Sequence, residues 1–273
     1  MPSPTKITVS QLARLIGLPD GPRLIDVRSE EEFAADPQLI PASIRCPAPN
    51  PTALAASLRG KSSVVICRSG GEVSQGVSAW LRHEGIPAES LEGGFAAWRG
   101  ANQQLLMTNK IPERDVSGRT VWVTRARPKI DRIACPWLIR RFVDPDAVFL
   151  FVATSEVLDV AKRFAASPFD IEGVFWSHRG ERCTFDTMIE EFGLDIPALH
   201  KLAAIVRGAD TARLDLVPEA PGLLAVSLGL SRMYRNDLQQ LAAAMPIYDG
   251  FYRWARDATD ETHNWPTPTR AKP

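Results

Sequence analysis

Three consecutive β-branched residues, Val64, Val65 and Ile66, end at Cys67, and the glycine-containing stretch Arg68 to Glu72 follows at once. A short apolar run of this kind, bounded by turn residues, reads as a buried strand over residues 63–67. The next residues repeat with a helical period: Val73, Val77, Trp80 and Leu81 mark an amphipathic helix over residues 73–84. A strand that feeds a helix through a tight loop belongs in an α/β layer with a parallel sheet. The same alternation runs from about residue 7 to residue 100. Residues 24–27 form a second β-rich run ending in Asp26-Val27-Arg28, and Ser90-Leu91 form another before the turn Gly93-Gly94.

In such sheets ligands bind at the carboxyl ends of the strands. Cys67 stands there, facing a loop of backbone N–H groups with a helix N-terminus behind it. Both features stabilise a thiolate or a bound anion. Gly70 and Gly71 let the loop close where a side chain would clash. The residues alone leave two readings: a buried small residue, or a nucleophile that handles an anionic substrate. Cys46, before Pro47, reads as a packed small residue.

Taken together, residues 7 to 104 resemble the single-domain rhodanese (sulfurtransferase) family. The matching pieces are Asp26-Val27-Arg28 with Glu32-Phe33, Ile40-Pro41-Ala42-Ser43-Ile44, the Cys67 loop, and Leu91-Glu92-Gly93-Gly94-Phe95-Ala96-Ala97-Trp98. The resemblance implies that Cys67 carries a persulfide sulfur and passes it to a thiophilic acceptor, with no cofactor required. It implies that Arg68 helps hold a small thiol or anionic sulfur donor. The backbone amides of Ser69, Gly70, Gly71, Glu72 and Val73 would cradle the sulfur in transfer. Two positions depart from the family pattern. Glu72 stands where an arginine is common, and a carboxylate there opposes anion binding. Ile40 stands where a histidine commonly precedes the proline.

Residues 105–119 lose the alternation, contain Pro112 and Gly118, and read as a linker between a domain at 1–104 and a second at 120–273. The second domain starts α/β, with strands at 120–124 and 147–152. It finishes mostly helical, with helices over 131–142, 156–165, 185–192, 196–206 and 236–258. Val174-Phe175-Trp176 looks strand-like. The proline-containing tail from about residue 263 reads as a flexible arm.

Between residues 119 and 141 stand Arg119, Arg125, Arg127, Lys129, Arg132, Arg140 and Arg141 against one acid, Asp131, a net of +6. Arg125, Lys129 and Arg132, around a helix start, suit an oxyanion, where side-chain charge and helix dipole add; a solvated basic face is the plainer alternative. His178, Glu181, Cys183 and Asp186 lie within nine residues and would converge on one metal if the loop curls, with Asp210 and Asp131 as remote carboxylates for the same pocket. A thiolate ligand would favour Zn or Fe; an N/O set without Cys183 would also accept Mn. Thr184 and Asp186 are equally explained as helix-start residues, and Cys183 and Cys135 as packing.

This second segment resembles the C-terminal domain of ChrB-type chromate resistance proteins. The resemblance is carried by Trp122-Val123-Thr124-Arg125, the run from Pro128 to Phe142, the cluster at 178–186, and Arg207-Gly208-Ala209-Asp210-Thr211. It implies a link to chromate or another oxyanion. The composition narrows the field further. Thirty-two basic and 32 acidic residues give zero net charge, which argues against a nucleic-acid-binding surface covering the whole chain. No apolar run approaches the length of a membrane span, and the first residues carry no apolar leader segment. Four cysteines without a CxxC predict a reducing cytoplasm. The reading that follows is a cytoplasmic sulfurtransferase coupled to an oxyanion- or metal-binding domain. The alternatives are a non-catalytic chromate, oxyanion or metal sensor, and a metalloenzyme centred on His178.

Overall fold

The computed structural model describes residues 5–47 and 49–262; the expected tail from about residue 263 lies outside them. The first half runs β1 (Lys6–Ile7), α1 (Val9–Leu15), β2 (Arg23–Asp26), α2 (Glu30–Ala35), β3 (Gln38–Leu39), β4 (Ser43–Arg45), α3 (Pro51–Ser57), β5 (Ser63–Ile66), α4 (Glu72–His83), β6 (Ala88–Leu91), α5 (Gly94–Gly100) and β7 (Leu106–Met107). Five of these strands form a wholly parallel sheet in the order β1-β6-β5-β2-β4. One face buries Ile25, Val65, Val77 and Leu81 under α3 and α4. The other buries Leu24, Val64, Ile66, Phe95 and Trp98 under α1 and α5. Local chemistry sets the helix starts: Thr8 with Gln11, and Ser29 with Glu32, make reciprocal capping boxes. Asp26 lies in register with Ile66, so the end of β2 is level with the Cys67 loop.

The second half runs β8 (Val121–Arg125), α6 (Asp131–Leu138), β9 (Val148–Val152), α7 (Val157–Arg163), β10 (Ser167–Pro168), α8 (Thr184–Glu191), α9 (Pro197–Asp210), α10 (Ala220–Met233) and α11 (Asp237–Asp257). Its sheet is parallel in the order β10-β8-β9. The helices enclose a core dense in aromatics. Trp137 is fully buried, with the rings of Phe142, Phe185, Tyr248 and Tyr252 centred 5.5–6.4 Å from its own. Each such pair adds about 0.5–1.5 kcal/mol beyond its burial.

Two local expectations change, and one helix has no expectation to match it. The helix read over 131–142 is α-helical only to Leu138. Pro136 has no N–H to give the Arg132 carbonyl one turn earlier, and beyond Leu138 the segment Ile139–Val143 widens into a π-helical turn closed by Asp144 N–H donating to the Ile139 carbonyl at 2.7 Å. Residues 174–176 form no strand; Trp176 makes one isolated bridge to Phe169 and otherwise packs on Trp122 and Phe192. Helix α10 had no clear signature, because its apolar residues do not keep a single face: Leu223 is buried while Val226 and Leu228 are exposed.

The segment 105–119 is drawn into both halves. β7 pairs antiparallel with β3, Met107 N–H donates to the Phe192 carbonyl at 3.0 Å, and Gln104 reaches the Gly193 carbonyl at 2.6 Å. Leu39 and Leu106 join the core of the second half. Ala42 N–H donates to the Phe142 carbonyl at 2.6 Å, and Arg23 pairs with Asp146 at 2.6 Å.

Candidate functional site

Two constellations emerge, one at the carboxyl end of each parallel sheet. In the first, Cys67 follows β5 and its Sγ lies 3.0 Å from the Ser74 hydroxyl on α4. The Cys67 side chain is largely covered, at 7% exposure, while Arg68, Ser69, Glu72 and Val73 are exposed. Arg68 forms no ion pair among the described residues. Among the described residues, the backbone N–H groups of 68 to 73 also donate to no protein acceptor, and α4 has no side-chain N-cap. These are the unsatisfied donors an anion or a terminal sulfur would fill.

The loop is held from below. Phe95 and Ala96 N–H donate to the Cys67 and Arg68 carbonyls at 2.9 Å, and Gln75 Nε2 donates to the Gly70 carbonyl at 2.8 Å. Gly94 has φ +60°, and a Cβ there would lie 2.4 Å from the Cys67 carbonyl oxygen and 2.5 Å from the Gly70 nitrogen. Both contacts are backbone and cannot swing away. Gly94→Ala is therefore expected to cost at least about 2 kcal/mol in urea unfolding, with the Cys67 loop displaced. An unchanged midpoint would show that α5 yields instead.

Beside this loop, Arg28 is fully buried and makes a bidentate pair with Asp26, 2.6 Å at its shortest. It also donates to the Asp36 and Gln38 carbonyls and lies 3.6 Å above the Phe95 ring. Arg45 reaches the same Asp26 at 3.4 Å. Asp26 and Arg28 thus tie β2, α2 and α5 together beneath the loop.

The second constellation sits where β8 and β10 end. His178 Nε2 lies 3.4 Å from Asp131 Oδ2, 3.4 Å from Asp170 Oδ1 and 3.2 Å from Asp210 Oδ2. Asp131 opens α6, Asp210 closes α9, and Asp170 follows β10. Asp131 is wholly buried; its Oδ2 accepts the Thr184 N–H at 2.5 Å while its Oδ1 has no partner. Asp170 accepts from Thr184 Oγ1 at 2.9 Å and pairs with Arg125 at 3.2 Å and Arg132 at 3.3 Å. The electrostatics are those of crowded carboxylates around one imidazole. Asp131, Asp170 and Asp210 push His178 up to about 12. Burial raises Asp131 to about 7. Burial would raise Asp170 too, but His178, Thr184, Arg132 and Arg125 together hold it below the usual carboxylate range.

The backbone around this site is strained. Ile130 has φ +39°, a region a β-branched residue avoids, while Asp170, at +53°, takes a left-handed conformation that aspartate tolerates. The strained turn is pinned by helices α10 and α11. Ser227 Oγ accepts the Ile130 N–H at 3.2 Å, Tyr248 OH donates to the Ile130 carbonyl at 3.0 Å, and Gln240 donates to the Pro128 carbonyl at 2.6 Å.

Several sequence-derived candidates lie elsewhere. Glu181 is exposed and pairs with Arg213 at 3.0 Å, because the loop reverses at Gly180 and an Arg179–Arg182 bridge turns it outward. Cys183 and Asp186 form the start of α8: Asp186 accepts the Cys183 N–H at 3.0 Å and pairs with Arg207 at 2.6 Å. Burial, then Asp131 and Asp186, push the Cys183 thiol up. Of the four candidate ligands His178, Glu181, Cys183 and Asp186, His178 is the one that faces the three carboxylates; Thr184 supports Asp131 and Asp170 from the start of α8, and Asp170, which has no motif of its own, completes the set. The basic stretch also divides. Arg125 and Arg132 face Asp170 and Lys129 is exposed. Arg119 pairs with Asp115, Arg141 with Asp249, and Arg140 lies over Phe149.

Solved structures similar to the first half include thiosulfate sulfurtransferase from Pseudomonas aeruginosa, at 23% identity over 38% of this chain and 19% of that one, with a TM-score of 0.32. A rhodanese-like domain protein from Staphylococcus aureus matches at 27% identity over 34% of this chain and 90% of that one, with a TM-score of 0.28. Protein ChrB from Cupriavidus metallidurans is 32% identical over 193 residues, which cover 65% of this chain and 57% of that protein. The chain thus spans just over half the length of that relative. Family models match at residues 8–101 for the rhodanese-like domain and at 122–255 for the C-terminal domain of ChrB. By these matches the chain carries a segment similar to rhodanese-like domains followed by one similar to the C-terminal domain of ChrB.

Proposed function

We propose that this chain is a sulfurtransferase in which Cys67 carries a persulfide, working in chromate resistance beside an oxyanion- or metal-binding second domain. The observation that carries the reading is Cys67 at the end of β5, with free backbone amides from 68 to 73 around its loop. The Cys67 thiolate attacks the sulfane sulfur of an anionic donor such as thiosulfate. A Cys67 S–S bond forms, the donor S–S bond breaks, and sulfite leaves with the electron pair. A thiophilic acceptor then takes the outer sulfur and restores the thiolate. Exposed Arg68 holds the donor, and the Ser74 hydroxyl orients Sγ. This chemistry asks nothing of a membrane, and no helix among the described residues is long and apolar enough to cross one.

Intact-mass analysis tests the reading. After incubation with thiosulfate the protein gains one sulfur atom, mapped to the Cys67 peptide and removed by cyanide. A mass that does not change, or sulfur found on Cys46, defeats it. One feature favours a second reading, in which the domain binds an oxyanion without turnover: Glu72 sits exposed at the head of α4, where an incoming anion would meet it. Saturable chromate binding with no sulfur ever loaded is the outcome that selects this second reading.

A further inference from the structure

The arrangement around His178 is not explained by hydrogen bonding. Three carboxylate oxygens surround one ring nitrogen, which carries at most one proton. All three distances, 3.2–3.4 Å, exceed the roughly 2.7–2.9 Å of a charge-assisted N–H···O bond. A structural ion pair would shorten one contact and release the others. A first-row divalent cation, by contrast, holds nitrogen and oxygen ligands at about 2.0–2.2 Å, which sets neighbouring ligand atoms roughly 3.0–3.4 Å apart. The ligand atoms of Asp131, Asp170 and His178 all fall within 4.8 Å of one another.

A second, independent observation points the same way. Asp131 is wholly buried, and its Oδ1 has no donor. An unpaired buried carboxylate oxygen is costly unless something outside the chain satisfies it. Thr124 Oγ1 and Arg125 Nε, at the end of the adjoining strand, are orphaned as well. The strained backbone at Ile130, next to Asp131, lies beside this same cluster, where strain of this kind accompanies function.

We propose that Asp131, Asp170 and His178, with Asp210 beside them, form a binding site for one divalent cation of the Mn, Fe or Zn type. The donor set is imidazole and carboxylate, which these ions accept and which a soft thiophilic ion does not require. Cys183 stays outside it, engaged with Asp186 at the start of α8. His178 is 40% exposed and Arg125 39%, and both line one open pocket. The ion is therefore reachable from solvent beside a guanidinium, an arrangement suited to a small anion on its open face. This proposal rests on the reading of the second domain as an anion- or metal-binding module and is independent of sulfur transfer at Cys67.

Isothermal titration of chelator-treated full-length protein with Mn²⁺, Zn²⁺ and, anaerobically, Fe²⁺ tests it, with Mn²⁺ followed by electron paramagnetic resonance. The expected result is about one saturable equivalent per chain. Affinity should fall at least roughly tenfold in His178→Ala and in Asp131→Asn, and stay at the wild-type value in Glu181→Gln and Cys183→Ser. His178 is surface-exposed, so its variant decides the question even if the buried Asp131 variant does not fold. Cys67→Ala should bind the ion as wild type does, which separates a failure here from a failure of the sulfurtransferase reading. Absence of saturable binding for all three ions, or wild-type affinity in His178→Ala, overturns the proposal.

Discussion

Cys67→Ala is expected to lower thiosulfate-to-cyanide sulfur transfer by on the order of 10³-fold or more, with the unfolding midpoint close to wild type. In the proposed reaction the Cys67 thiolate forms and breaks the bonds in both half-reactions, so no neighbour can replace it. Ser74 supplies only a hydroxyl at 3.0 Å, and a hydroxyl cannot hold a persulfide. The cradle of free amides survives in the alanine protein and should still bind the donor, so the loss falls on kcat rather than KM. In the same assay Glu72→Arg, which replaces an exposed carboxylate at the head of α4, is expected to raise kcat/KM for an anionic donor. Thiocyanate formation measured at several thiosulfate concentrations checks both variants. Wild-type turnover in Cys67→Ala would remove the assigned nucleophile.

The largest expected effect on stability is at Arg28. Arg28→Ala leaves the buried Asp26 with the backbone N–H of residue 28 at 3.0 Å and Arg45 at 3.4 Å, and it unties the Asp36 and Gln38 carbonyls. Removing one partner of a buried ion pair costs about 3–5 kcal/mol, and the lost contact with the Phe95 ring at 3.6 Å adds to it. Chemical denaturation reads this directly. The physical cause can be isolated with the double variant D26L/R28M, which replaces both charges by apolar groups of similar size. It is expected to be more stable than Arg28→Ala alone, because no stranded charge remains. A double variant less stable than the single one would show that the carbonyl contacts, not the stranded Asp26, carry the cost.

What could be read from the sequence follows from how local the information is. The strand, loop and helix around Cys67 are contiguous, and each step has its own signature: β-branched run, glycines, helical period. That unit stands in the structure within one residue of where the sequence places it. The His178 site is different, because its side chains come from positions 131, 170, 178 and 210. Asp131 and Asp210 could be named as remote carboxylates, but Asp170 follows a two-residue strand that leaves almost no pattern. Closeness in sequence misled for Glu181, Cys183 and Asp186. The loop reverses at Gly180, and the start of α8 uses Cys183 and Asp186 as its own cap. The widened turn after Leu138 is set by a hydrogen bond from Asp144 to Ile139, which periodicity does not register.

The strained turn at Ile130 bears on the order in which the molecule is made. Its hydrogen-bond partners, Ser227, Gln240 and Tyr248, are supplied some 97 to 118 residues later in the chain. Until those helices have emerged and docked, nothing holds Ile130 at a positive φ, and the closure entropy of a loop this long stands against it. A growing chain on the ribosome can therefore complete the Cys67 loop early, from neighbours already synthesised. The turn that carries Asp131 must wait for α10 and α11, which makes its geometry a report that the chain through α11 has been made and docked.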